Sequence, residues 1–225
     1  MLILGSVLFG FVYGEVVSQA VTFGSSIKLH SLYEKQKYYL FSENMQWNMQ
    51  GVQGSHVVTA AKERGDHRLY WTVLPAKDTA DHISKPVSCG AQVILTHAQT
   101  SRNLFSRRER GIISGQQFVT TQGTMSSIDP GDLFKLECVG SESIWMRDSA
   151  VKLRHVQTGK FLKTSARYVY HNGNCPNCAI NGDREVTTGE PSSSEDRWAV
   201  SDGVFFNSAA KVDATESSEN ERDEL

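Results

Sequence analysis

The sequence has no excess of basic residues and contains little proline. Its 225 residues include 23 lysines and arginines against 25 aspartates and glutamates, so the formal net charge is −2. A protein that binds a polyanion usually carries a basic excess, and this balance therefore argues against nucleic acid as a partner. Five prolines stand beside 18 glycines, a composition that favours turns and strands over helices. The length fits one or two domains.

Familiar catalytic motifs are also absent. The chain has no nucleophile-elbow serine, no HExxH zinc motif, no phosphate-binding loop and no glycine set of a dinucleotide fold. Carboxylates are plentiful, but the sequence alone places no two of them in one cleft. We therefore predict that the protein is not an enzyme and needs no cofactor and no metal.

The first residues form a targeting pattern. Residues 1–13, MLILGSVLFGFVY, are an uncharged apolar run of signal-peptide length that is too short to span a bilayer. Small residues at Ser18 and Ala20 suit cleavage after Ala20, and Gly14 offers an earlier site. We expect residues 1–20 to be a signal peptide; a buried N-terminal strand is the alternative.

The last residues carry a second targeting pattern. The chain ends in Arg222-Asp223-Glu224-Leu225, which resembles the Lys-Asp-Glu-Leu retrieval signal. The acidic residues before it have too little apolar surface to offset the entropy of ordering. We expect residues 208–225 to be a flexible acidic tail that presents this signal. Both ends together predict residence in the lumen of the endoplasmic reticulum, without stable membrane insertion.

Between the ends one pattern occurs three times, over about 22–80, 85–143 and 144–207, with a period of about 60 residues. Each copy reads as four short strands. In the first strand of the first copy, Ile27 and Leu29 point to one side of the sheet. Lys28 and His30 point to the other side, as burial of one face requires. One copy cannot bury its apolar face alone. The three copies are therefore predicted to close into an all-β barrel of pseudo-threefold symmetry.

Two copies resemble the MIR motif. Residues 92–120 contain QVILTHAQTSRNLFS and ISGQQFVT, and residues 152–162 read KLRHVQTGKFL. The first copy departs from the motif, with Ser31 in place of its histidine and two extra residues before Leu40. The resemblance covers about residues 22–207 and is closest to the stromal cell-derived factor 2 group of the MIR-domain family. It implies a β-trefoil, and a non-enzymatic cofactor of the luminal Hsp70 chaperone and its J-domain protein.

A trefoil would bring the cysteines of the second copy together. Cys89 precedes the first strand of that copy and Cys138 follows its last strand, and these two strands pair antiparallel in a trefoil. The predicted bond closes about 50 residues and stabilises the fold by about 4 kcal/mol. Cys175 and Cys178 form a CxxC that is either a structural clasp in the oxidising lumen or a redox motif. A zinc site would need ligands beyond His171.

The repeated histidines His97 and His155 are the first candidates for a binding site. Such imidazoles either contact a ligand and sense pH, or hold a turn by bonding Thr100 and Thr158. The full set of candidate ligand-binding or partner-binding residues is His97, Thr100, Arg102, Asn103, His155, Thr158 and Lys160. The basic run at 107–110 is either a solvated loop tip or a contact for an acidic partner.

Two classes of function remain. The first is an interaction module that binds a luminal J-domain protein and Hsp70, together with unfolded client proteins. The second is a glycan-binding module linked to protein O-mannosylation. A glycan-binding trefoil should repeat an exposed aromatic with polar partners in every copy. Arg102 with Asn103 and Lys160 with Phe161 do not repeat such a set, which favours the first class. A mannosyltransferase is disfavoured because no transmembrane catalytic part is present.

Overall fold

The computed structural model describes residues 19–47, 54–65, 67–77, 82–124, 126–176 and 178–206. Most of the expected signal peptide lies outside these ranges, as do the acidic tail and the retrieval signal at 222–225. Both targeting assignments therefore stay predictions. Among the residues with described structure, no helix has the length and apolar character needed to cross a bilayer.

The described chain is built from twelve strands and two single turns of 3₁₀-helix, His67–Leu69 and Pro130–Asp132. The strands are β1 (Ser26–Ser31), β2 (Tyr39–Gln46), β3 (His56–Ala61), β4 (Tyr70–Pro75), β5 (Gln92–His97), β6 (Asn103–Arg110), β7 (Gln117–Gln122), β8 (Phe134–Cys138), β9 (Val151–His155), β10 (Phe161–Val169), β11 (Arg184–Gly189) and β12 (Trp198–Val204). Four strands fall in each of the three sequence copies.

Six of the strands close a barrel. The ring runs β1–β4–β5–β8–β9–β12 and returns to β1, and every neighbouring pair is antiparallel. The other six strands form three hairpins, β2–β3, β6–β7 and β10–β11, which together make a cap on the barrel. In the cap β3, β7 and β11 also pair with one another around the threefold axis. This is a β-trefoil, as the resemblance implies.

The barrel interior is filled by the repeated apolar residues. Ile27 and Leu29 are fully buried, which fits the alternation along β1. His30 leaves the barrel interior as expected, but it does not reach solvent. Its ring lies 5.8 Å from that of Tyr39 and is covered by the cap. Alternation within a strand predicts the side of the sheet; it does not predict what covers that side.

Polar contacts inside the fold follow the same threefold pattern. The hydroxyls of Ser42, Ser106 and Thr164 each donate to a carbonyl oxygen of the facing cap strand, at 2.8, 3.2 and 3.0 Å. The indole N–H groups of Trp71 and Trp198 each donate to a backbone carbonyl at 2.9 Å. Buried polar groups need such partners. The Ser/Thr and Trp positions of the repeat therefore serve the architecture.

Candidate functional site

The disulfide of the second copy forms as strand pairing predicts. Cys89 and Cys138 are bonded, with their Cα atoms 5.6 Å apart. Strands β5 and β8 bring them together through the pairs Gln92–Lys135 and Val93–Phe134. The bond joins the two ends of the second copy at the barrel. The β6–β7 hairpin between them belongs to the cap.

The repeated histidines hold turns. His97 Nδ1 lies 2.9 Å from the Thr100 hydroxyl, and its Nε2 lies 3.1 Å from a backbone carbonyl oxygen, that of Arg68. In the third copy His155 Nδ1 lies 2.8 Å from the hydroxyl of Thr158. Both histidines are 0% exposed. Burial lowers the pKa of His155, because an imidazolium without water is costly. These contacts agree with the interpretation that each histidine holds its turn by bonding a threonine.

Asn103 is also buried, and its side chain joins two parts of the second copy. Its Oδ1 accepts from the Thr96 hydroxyl at 2.9 Å, and its Nδ2 donates to Asp132 Oδ2 at 3.2 Å. Burial raises the pKa of the Asp132 carboxyl. Asp196 takes the same place in the third copy, where its Oδ2 lies 3.0 Å from Lys152 Nζ. Sequence reasoning missed both aspartates, although each lies two residues before the aromatic residue that begins the last strand of its copy.

The seven candidate residues therefore divide into two sets. The buried side chains of His97, Asn103 and His155 cannot touch an external ligand in this structure, and for these three a direct binding role does not fit. Thr100, Arg102, Thr158 and Lys160 lie at the surface. Lys160 Nζ is 3.9 Å from the carboxylate of Glu190, a surface ion pair of small value. A binding role for the four surface residues stays a prediction.

The aromatic position of the expected glycan site is not repeated either. Tyr39, Asn103 and Phe161 begin β2, β6 and β10 and occupy equivalent places. Tyr39 and Asn103 are buried, and only Phe161 is partly exposed. Three equivalent sugar sites are therefore not formed at this position.

A cleft in the cap is the region that sequence reasoning missed. This cap cleft has a volume of about 490 Å³. Its apolar lining comes from Met45, Trp47, Val57, Ile112, Pro176 and Ala179, and the Cys175–Cys178 disulfide completes the wall. Clefts of this size with mostly apolar walls are the usual places for ligands.

The three hairpins differ at one equivalent position, which in the first copy is held by Trp47 at the wall of the cap cleft. Trp47, Gly111 and Tyr170 each donate a backbone N–H across their hairpin, at 3.0, 2.6 and 2.9 Å. Only two of the three therefore bring a ring to the axis. The Trp47 ring packs 5.3 Å from that of Phe118 and 6.0 Å from that of Tyr170. The repeat pattern carries no signal for this difference, because the three residues lie where the copies diverge.

Glu185 takes part in the same asymmetry. It occupies a position that is apolar in the other two copies, and it is 1% exposed. Its carboxylate accepts the backbone N–H groups of Ile113 and Ser114, each at 2.9 Å. A Cβ at Gly111 would lie 2.8 Å from Glu185 Oε1. The glycine therefore makes room for a carboxylate that fixes the loop beside the cap cleft.

Asp183 joins the third copy to the first. Its carboxylate accepts from the Thr59 hydroxyl at 2.9 Å and pairs with the Arg64 guanidinium. Burial raises the pKa of Asp183 to about 6, although Arg64 and Thr59 act in the opposite direction. The side chain is 3% exposed, so desolvation is the stronger effect.

The Cys175–Cys178 bond closes the loop between β10 and β11. Cys175 is buried, and its backbone N–H donates to the carbonyl oxygen of His171 at 2.8 Å. In the described segment 178–206 no α-helix follows the motif, so no helix N-terminus is present to lower a thiol pKa. This geometry favours the structural clasp. No cluster of three metal-ligating side chains occurs among the residues that the structure describes.

The fold and the repeated histidine turn define a three-copy trefoil of the MIR type. No family model matches the chain. The stromal cell-derived factor 2-like protein of Arabidopsis thaliana is 30% identical over 186 residues, 83% of this chain and 80% of the relative. Stromal cell-derived factor 2 of Bos taurus is 28% identical over 209 residues, 92% of this chain and 93% of the relative. The chain belongs to the stromal cell-derived factor 2 family.

Solved structures agree with this assignment. The crystal structure of the Arabidopsis thaliana SDF2-like protein matches with a TM-score of 0.73 and 29% identity, over 83% of this chain and 97% of that one. A chain of the S. cerevisiae Pmt1–Pmt2 complex matches with a TM-score of 0.69 and 19% identity, over 83% of this chain and 26% of that one. The second likeness concerns the fold alone.

Proposed function

We propose that this protein is a non-enzymatic cofactor of protein folding in the lumen of the endoplasmic reticulum. It acts with the luminal Hsp70 chaperone and its J-domain protein, and its cap cleft receives an apolar side chain of an unfolded client or of the J-domain protein. The cap cleft is the observation that carries the proposal. It is open, lined by apolar groups and held on a closed barrel, and loops on a rigid scaffold are where recognition usually lies.

The chemistry of the cap cleft suits a variable apolar guest. Met45 and the two disulfide sulfurs are polarisable, and the unbranched Met45 side chain can adapt to differently shaped guests. Gln46 and Asn174 lie at the same cleft and supply polar groups at its rim. Such a surface fits clients that share apolar character without sharing a sequence.

The cysteines support a luminal location. All four are disulfide-bonded, which is typical of proteins that fold in an oxidising compartment. Gln19 already belongs to the fold, since its carbonyl oxygen accepts the Arg147 N–H at 2.9 Å. Cleavage at the earlier site, near Gly14, would keep this contact, and we propose that site over the one after Ala20.

Affinity capture with the mature chain tests the proposal. The chain is added to a luminal extract under mild cross-linking, and the same chain is applied to a glycan array. We expect Hsp70 and a J-domain protein in the eluate and no signal on the array. Micromolar binding to a mannose-type glycan, with no chaperone recovered, would replace the proposal by the glycan-binding alternative.

A charge placed in the cap cleft links the result to this surface. Met45→Lys adds a cation to a half-buried wall position, and Val156→Lys is the control, which adds the same charge at an exposed barrel turn. We expect Met45→Lys to lower chaperone recovery while its circular dichroism stays native. Equal recovery with both variants would show that partners bind elsewhere.

A further inference from the structure

Two Asn-Gly pairs lie in the loop between β10 and β11, at Asn172-Gly173 and Asn181-Gly182. All four residues are exposed. In such a pair the glycine nitrogen can attack the preceding side-chain carbonyl carbon, because no Cβ shields it. The reaction is slow unless a base removes the proton of the nitrogen and a donor stabilises the oxygen.

Asn172-Gly173 has a base at the attacking nitrogen. The N–H of Gly173 donates to His171 Nδ1 at 3.0 Å. Nδ1 therefore accepts this hydrogen bond through its ring lone pair. A neutral imidazole within hydrogen-bond distance is the geometry that general-base catalysis requires.

Asn172 also has a donor at its carbonyl oxygen. The side-chain Nδ2 of Asn181 donates to Asn172 Oδ1 at 2.8 Å. This N–H polarises the amide carbonyl and would stabilise the negative charge that develops on Oδ1 during attack. Base, nucleophile, electrophile and oxyanion donor therefore lie together around one amide.

The second pair lacks this arrangement. The N–H of Gly182 donates to the backbone carbonyl oxygen of Tyr170 at 2.9 Å. A carbonyl oxygen cannot take the proton, and the hydrogen bond holds the N–H in place. The same loop thus contains a matched control for the chemistry at Asn172.

We propose that Asn172 is a self-modifying deamidation site. His171 Nδ1 takes the proton of Gly173 N as that nitrogen bonds to Asn172 Cγ, and the C–N bond of the amide breaks. The leaving amine takes up a proton and departs as ammonia, which leaves a succinimide. Water then opens the succinimide to aspartate or isoaspartate at position 172. No oxidant, reductant or other co-reactant is needed.

The modification would change the rim of the cap cleft. The carbonyl oxygen of His171 accepts the backbone N–H groups of Asn174 and Cys175 at 3.0 and 2.8 Å, and both residues line the cleft. Aspartate adds a negative charge beside this turn, and isoaspartate lengthens its backbone by one carbon. The charge and backbone of the loop that carries the Cys175–Cys178 disulfide would therefore change as the protein ages.

Peptide mapping of the aged mature protein tests the proposal. Trypsin cleavage after Arg167 and Arg184 places both pairs in one peptide, so tandem mass spectrometry reads them together. We expect Asn172 to deamidate about tenfold faster than Asn181, which is less than the hundredfold or more that general acid–base catalysis supplies in an enzyme site. An equal or faster rate at Asn181 would overturn the proposal.

Three variants assign the roles. His171→Gln keeps an acceptor but removes the base, and Asn181→Ala removes the oxyanion donor. We expect each to slow deamidation of Asn172 several-fold. His82→Gln changes a half-buried histidine beside Phe23, in a cleft to which the loop contributes no residue, and should leave the rate unaltered. A wild-type rate at Asn172 in a folded His171→Gln protein, judged by its circular dichroism, would contradict the base assignment.

Discussion

The barrel and the cap of this molecule differ in how closely the three sequence copies match. In the barrel, side chains that recur in two copies are buried and hydrogen-bonded, as with Trp71 and Trp198 or His97 and His155. In the cap, the copies differ at the position of Trp47, and a cleft lies beside that residue. Repetition in this fold therefore marks packing, and the surface that we propose for partners lies where the copies depart from repetition.

Removal of a barrel tryptophan should give the largest effect. Trp198 is fully buried and donates to the Leu162 carbonyl oxygen at 2.9 Å. Trp198→Ala should lower the free energy of unfolding by about 3–5 kcal/mol, as measured by urea denaturation. Trp47→Ala should cost at most half as much, since Trp47 borders the cleft. A larger loss for Trp47→Ala would break the distinction between barrel and cap.

The two disulfides should also differ. Replacing Cys89 and Cys138 by Ser opens a loop of 49-residue separation and should lower stability by about 4 kcal/mol on the loop-entropy model. Replacing Cys175 and Cys178, three residues apart, should cost about 2 kcal/mol on the same model. Equal losses by chemical denaturation would indicate that the cap disulfide fixes more than its own loop.

Asp183 predicts a pH dependence at the contact between the first and third copies. Its pKa is raised from 3.8 to about 6 in the folded protein, so the fold favours the protonated form. The stabilising effect is complete below pH 3.8 and is lost as pH rises through about 6.

Asp183→Asn stays neutral throughout this window. Relative to the variant, the wild-type free energy of unfolding should therefore fall by about 2–3 kcal/mol across it. Paired urea melts at several pH values measure this difference. A difference that stays constant with pH would contradict the raised pKa, and a rising one would mean that the Arg64 ion pair outweighs burial.

The histidine turns should give a smaller effect, confined to stability. His97→Gln and His155→Gln each disturb a buried ring and its bond to a threonine, at a cost of about 1–2 kcal/mol. We expect no change in chaperone recovery from either variant, since both side chains are buried. Thermal melts and affinity capture on the same preparations check the two statements. If a variant recovered less chaperone but kept its stability, the account would be wrong and these histidines would take part in binding.

The sequence predicts the barrel better than the cap for a physical reason. Burial on one face imposes a two-residue period on residues such as Ile27 and Leu29, and closure imposes the threefold repeat. Both leave a pattern that can be read from one chain. The pairing of Cys89 with Cys138 follows from the same architecture.

The cap carries no comparable period. Gly111 matters because Trp47 and Tyr170 take the equivalent places on other hairpins, and this relation appears only once the hairpins meet at the axis. Glu185 is a charged residue in a position that is apolar in the other copies. Its role depends on backbone N–H groups of another copy, to which the sequence gives no clue. His97 and His155 recur in two copies because they hold equivalent turns, so their recurrence indicates the architecture.

Site-specific photo-cross-linking tests most directly whether partners bind the cap. One version of the mature chain carries the photoreactive side chain in place of Ile112, at the cap cleft, and a second carries it in place of Lys160, at a barrel turn. We expect cross-links to a luminal chaperone or its client from position 112 and none from position 160. Cross-links from position 160 alone would contradict the account and place recognition on the repeated barrel turns.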